Sequence, residues 1–80
     1  MQYIVNESNI EKREYFYNYI VNNYKLKIID SKKYMINNKY PFVVDFNEKN
    51  FWICSSITCL ACASRNNQII SVEEFKKIAK

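Results

Sequence analysis

Not one glycine occurs in this 80-residue chain, and that absence limits how its backbone can turn. Glycine enters left-handed backbone conformations without steric cost, so tight turns and helix ends here must be made by residues carrying a Cβ. Asparagine is the next-best tolerated residue in that region. Asparagine pairs stand at Asn22-Asn23, Asn37-Asn38 and Asn66-Asn67, each where an apolar pattern stops. They are expected to occupy the left-handed positions and to divide the chain into its elements.

The missing glycine also removes the phosphate-cradling loop and the dinucleotide-binding fingerprint, both of which need it. Histidine is missing as well, and with it go the usual proton shuttle near neutral pH and the commonest metal ligand. More than half of the residues are Asn, Ile, Lys, Tyr and Phe, whose codons are rich in A and T, while Gly, Ala, Pro and Arg are scarce. An A+T-rich coding genome therefore explains the missing glycine without a demand of function.

Between the asparagine pairs, hydrophobic periodicity predicts an α+β fold in a single globular domain over residues 1–80. Residues 2–5 suit a strand. Ser8 and Glu11 match a capping box, and a helix is expected over about 9–24, with Ile10, Arg13, Phe16 or Tyr17, Ile20 or Val21 and Tyr24 forming its buried stripe. Lys25-Leu26-Lys27-Ile28 alternates like a half-buried strand, and a weaker strand is expected around Tyr34-Met35-Ile36. The central hairpin, about 42–54, has a turn at Asn47-Glu48-Lys49-Asn50; pairing Phe46 with Phe51 and Val44 with Ile53 puts these four on the core face. Val43, Asp45, Trp52 and Cys54 then face the other way. Two short C-terminal helices are expected at about 56–65 and 71–79, the second started by Ser71 and Glu74, with an intervening strand or link at Gln68-Ile69-Ile70. The sheet is expected to be mainly antiparallel, with the helices packed on it.

Hydrophobic residues make up 49 % and aromatics 16 % of the chain, a composition that supports a dense core rather than disorder. No apolar run approaches the roughly 18 residues of a membrane span. The first residues lack the basic and apolar regions of a secretory leader. The expected location is therefore cytoplasmic, in the host cytosol if the chain is phage-encoded, with no membrane contact. The odd set Cys54, Cys59 and Cys62 fits reduced thiols, which leaves the sequon at Asn6 without meaning.

The same cysteines give a C-x4-C-x2-C spacing, but no fourth cysteine and no histidine completes an iron–sulfur or zinc set. They are read as packing residues, and no metal or other cofactor is expected. Asp45, Glu48 and Lys49 loosely resemble a nuclease set, yet adjacent residues in a strand face opposite sides, so a solvated turn is expected. The serines cluster at helix starts, where no base is available to activate them. No catalytic residue is assigned, and the chain is not expected to be an enzyme.

Charge is distributed unevenly. Lys25, Lys27, Lys32, Lys33 and Lys39 face a single acid, Asp30, within fifteen residues of a chain whose net charge is +4; the remainder is close to neutral. Such a patch attracts phosphates or acidic protein surfaces. On the first helix, Lys12, Tyr15 and Tyr19 follow one another on the side away from the expected apolar stripe. Tyrosine gives large contact area at small entropic cost. The expected interaction surface is thus Lys12, Tyr15, Tyr19, Lys25, Lys27, Lys32, Lys33 and Trp52.

These features predict a non-catalytic interaction protein, monomeric or homodimeric, of the kind a phage or mobile element uses to inhibit a host nucleic-acid or defence enzyme, such as a CRISPR or restriction nuclease, by stoichiometric binding. The partner would be a host protein or nucleoprotein complex. The alternative is a small basic module in direct contact with single-stranded DNA or RNA.

Overall fold

The structure, a computed structural model, describes residues 2–54 and 69–78. In chain order they form β1 (Gln2–Val5), α1 (Ile10–Asn23), β2 (Lys27–Ile28), α2 (Lys32–Ile36), β3 (Phe42–Asp45), β4 (Asn50–Ile53), β5 (Ile69–Ile70) and α3 (Val72–Ile78). This is the α+β class read from the sequence. The expected helix at 56–65, the pair Asn66-Asn67, and Cys59 and Cys62 lie outside the described residues.

The five strands form one sheet in the order β2-β4-β3-β1-β5. Its centre is antiparallel, β1 with β3 and β3 with β4, while both margins are parallel, β2 with β4 and β5 with β1. The sheet is therefore mainly antiparallel, as expected, but mixed rather than purely so. The physical reason is that α1 returns the chain past β3 and β4, so β2 arrives running in the same direction as β1. Parallel pairing needs such a crossover, and α1 supplies it.

In the hairpin, Val44 pairs with Phe51, Phe42 with Ile53, and Asp45 with Asn50. This register is shifted by two residues from the expected one. Because side chains alternate with a period of two, the shift leaves the same residues on each face. Phe42, Val44, Phe51 and Ile53 join the core with Val5, and Phe46 packs at its border. The turn closes earlier than expected because the Asp45 carboxylate accepts from the backbone N–H groups of Asn47 and Glu48 at 3.0 and 3.1 Å, an Asx turn. On the opposite face Ile4, Val43 and Cys54 are fully buried and Trp52 is half-buried.

Left-handed backbone is rarer than expected. Among the described residues only Lys49 has it, with φ 59°. The asparagines act through their side chains instead: Asn23 Nδ2 donates to the Tyr19 carbonyl at 2.8 Å, and Asn38 Nδ2 to the Tyr34 carbonyl at 2.7 Å. Each side-chain amide thus bonds a main-chain carbonyl near the C-terminal end of its helix. Asparagine pairs mark helix ends here as expected, by amide hydrogen bonding rather than by left-handed turns.

Helix α1 starts one residue later than the Ser8 box predicts. Asn9 is the cap, its Oδ1 accepting from Lys12 N at 3.1 Å, while the Glu7 carboxylate accepts from Asn9 N. The buried line is Arg13, Phe16 and Ile20; Ile10 and Val21 are 56 % and 45 % exposed. Phe16 is central to the core, with the rings of Phe42, Phe75 and Phe51 at 5.1, 5.3 and 6.1 Å. Edge and tilted ring contacts of this kind add to the gain from burial itself.

Residues 34–36, expected as a strand, belong to helix α2. Ser31 caps it, accepting from Tyr34 N at 3.2 Å, and Met35 and Ile36 face the core. A three-residue apolar run does not distinguish strand from helix by periodicity. The distinction comes from Arg13, which is fully buried. Its guanidinium donates to the carbonyls of Met35 and Ile36 at the end of α2, and to those of Glu7 and Tyr40. Burial pushes its pKa down to about 10, partly opposed by the Glu7 carboxylate.

Helix α3 begins as expected. Ser71 Oγ accepts from Glu74 N at 3.1 Å, and Val72 and Phe75 are buried.

Candidate interaction surface

Strand β2 is a margin of the sheet, and α2 follows it directly. They carry Lys27, Lys32 and Lys33, and Lys25 and Lys39 flank them; all five are exposed. Asp30, the acid among them, is half-buried, and its Oδ2 accepts from the backbone N–H of Ile53 at 3.1 Å. The carboxylate extends the β2–β4 ladder where the β2 backbone turns away into α2. It therefore serves the sheet through that bond, and with five lysines against one acid the patch keeps a net positive charge.

The lysine patch reaches α1 on one side. Lys32 Nζ stands 5.6 Å from the Tyr17 ring centroid, within the range of a weak cation–π attraction. Exposed Val21 lies one turn beyond Tyr17, so apolar surface adjoins the charge.

Tyr15 and Tyr19 occupy the other side of α1, facing α3. Their rings are nearly parallel, 23° apart, with centroids 6.3 Å from each other. Lys76 of α3 donates to the Tyr15 hydroxyl and stands 5.0 and 5.4 Å from the two ring centroids. A nitrogen hydrogen-bonded to the hydroxyl at that centroid distance lies toward the oxygen end of the Tyr15 ring. The hydrogen bond to Tyr15 raises the Lys76 pKa. Tyr15 is 50 % exposed, whereas Tyr19 packs against the core and against Tyr24. Burial, followed by the Tyr19 phenol, raises the Tyr24 pKa.

The residues expected to form one surface are thus divided. Lys25, Lys27, Lys32 and Lys33 belong together; Tyr15 and Tyr19 form a second group with Lys76; Lys12 is exposed on α1; Trp52 lies on the sheet face away from α1. Lys76 was not among the expected site residues. Its signal was its place on the exposed side of α3, but no local spacing connects it with Tyr15, sixty-one residues away.

Among the described residues no cluster of three carboxylates or thiols could hold a metal ion. No helix among them is long and apolar enough to cross a membrane. The chain matches no family model, no curated protein and no solved structure.

Proposed function

We propose that this chain is a non-catalytic interaction protein whose β2–α2 margin docks on an acidic area of a macromolecular partner. One observation carries the reading: five lysines are exposed there while the accompanying acid, Asp30, is hydrogen-bonded into the sheet. A margin built this way attracts negative charge over a range set by ionic strength. In its finer form, the protein is a phage or mobile-element accessory factor that occludes a host nucleic-acid or defence enzyme by stoichiometric binding in the cytosol. Small size, A+T-rich coding and the lack of histidine support that form.

The test compares the wild type with a variant carrying Lys25→Gln, Lys27→Gln, Lys32→Gln and Lys33→Gln. Capture from host extract is expected to return one dominant partner with the wild type and to lose it with the variant. The captured enzyme's activity should fall linearly to an equimolar end point. Salt-dependent binding of labelled oligonucleotides by the purified chain, with no protein partner required, would overturn this reading in favour of the nucleic-acid module.

A further inference from the structure

The outer edge of β2 has its own chemistry. Lys27 N donates to the Lys49 carbonyl at 2.7 Å and Ile29 N to the Phe51 carbonyl at 3.0 Å. The peptide groups of these odd-numbered residues therefore face β4, and the N–H and C=O of Ile28 face outward. Among the described residues no strand pairs with that outer side. Burial alternates along the segment: Lys25, Lys27 and Ile29 are exposed, and Leu26 and Ile28 are half-buried.

We propose that this edge accepts an extended acidic segment of a partner protein, which adds to the sheet as a further strand alongside residues 25–29. The guest strand's main chain bonds the outward N–H and C=O of Ile28. Its side chains on one face meet Lys25, Lys27 and Ile29 in turn, so the complementary pattern is acidic, acidic, apolar at alternate positions. Strand addition draws affinity from main-chain bonds and specificity from alternate side chains. The lysines also exclude the obvious competitor: a second copy pairing edge to edge would bring like charges together, which is destabilising. Lys32 and Lys33, just beyond the edge, extend the attraction along the guest. This inference rests on the reading that the partner presents an acidic protein surface.

The test uses a synthetic peptide with glutamate, glutamate and valine at alternate positions and valine between them, and the same peptide with glutamine for glutamate. The glutamate peptide is expected to bind, to slow amide exchange at Ile28 about 10-fold, and to bind more tightly than the glutamine peptide. Ile28→Pro removes only the outward N–H, since the β4-facing N–H groups of Lys27 and Ile29 remain, and proline is tolerated on edge strands. It should weaken binding by about 10-fold. Ile28→Ala controls for the lost side chain and should bind much as the wild type does. Equal binding by the proline and alanine variants, or binding without protection at Ile28, would overturn strand addition and leave acidic docking standing. If the proline variant does not fold, exchange at Ile28 in the wild type decides. Failure of the peptide to bind also overturns the inference; the proposed function fails with it only if capture of the natural partner is indifferent to the four lysine substitutions.

Discussion

The guanidinium carbon of Arg13 stands 4.2 Å from the centroid of the Phe42 ring, so a buried cation lies directly on the aromatic core. Its donors go to the main chain of the segment before α1, of α2 and of the segment leading into β3. Arg13 thereby fixes α2 beside α1. The position of the lysine patch depends on this internal contact.

Arg13→Met would keep most of the volume and leave several buried carbonyls unpaired. The expected loss is about 3–5 kcal/mol in urea unfolding. Arg13→Lys should cost nearly as much, because an ammonium lacks the planar fork that reaches four carbonyls. Full stability in the lysine variant would contradict this.

Asp30→Ala separates stability from binding. Loss of the Ile53 hydrogen bond should destabilise by about 1–2 kcal/mol, while removal of the acid adds to the charge of the patch. Affinity for an acidic partner should therefore rise at low salt as the midpoint of unfolding falls. An unchanged midpoint of unfolding would refute the idea that the Asp30 carboxylate is structural.

The two tyrosines on the α3 side of α1 should behave differently. Tyr15→Ala, at an exposed position, is expected to change stability by less than about 0.5 kcal/mol. Tyr19→Ala removes a ring packed on the core border and should cost about 1–3 kcal/mol. Thermal melts of the two variants make the comparison.

Stability should depend little on pH around neutrality. With no histidine, and with the Arg13 value near 10, neither an imidazole nor the buried guanidinium changes charge between about pH 6 and 8. Tyr24 and Lys76 have raised values in the folded state. Each contributes stability that is present below its ordinary value and is lost as pH rises through the raised one, above about pH 10. Tyr24→Phe should therefore soften the alkaline fall in melting temperature. A steep change between pH 6 and 8 would contradict the assignment.

Lys49 holds a left-handed backbone that costs a residue with a Cβ about 1 kcal/mol. Lys49→Gly relieves that cost but increases the entropy of the unfolded chain, so a small gain, up to about 1 kcal/mol, is expected. Denaturant midpoints report it.

Much of the fold was legible because long periodic signals survive small errors. The hairpin shows why: a two-residue mistake in register still assigned Phe42, Val44, Phe51 and Ile53 to the core. Helix α1 was legible from its length and from a stripe that already held Arg13, Phe16 and Ile20, although Ile10 lies outside the buried line. Helix α2 was not legible. Its five residues carry too little pattern, and the arginine that anchors it comes from another element. At the candidate surface, the lysines were legible as a run of like charge. The structural role of Asp30 was not, since it depends on a hydrogen bond across the sheet to Ile53.

Strand β1 has an interior place in the sheet, between β3 and β5. Synthesis proceeds in the opposite sense: β1 precedes both neighbours, and its register partners for Ile4 are Val43 and then Ile69. During translation both of its hydrogen-bonding sides stay bare until those later segments emerge from the ribosome. Non-local closure of this kind slows folding for a chain of this size. Strand β1 is accordingly an interior strand whose pairing is completed only when Ile69–Ile70 has been made.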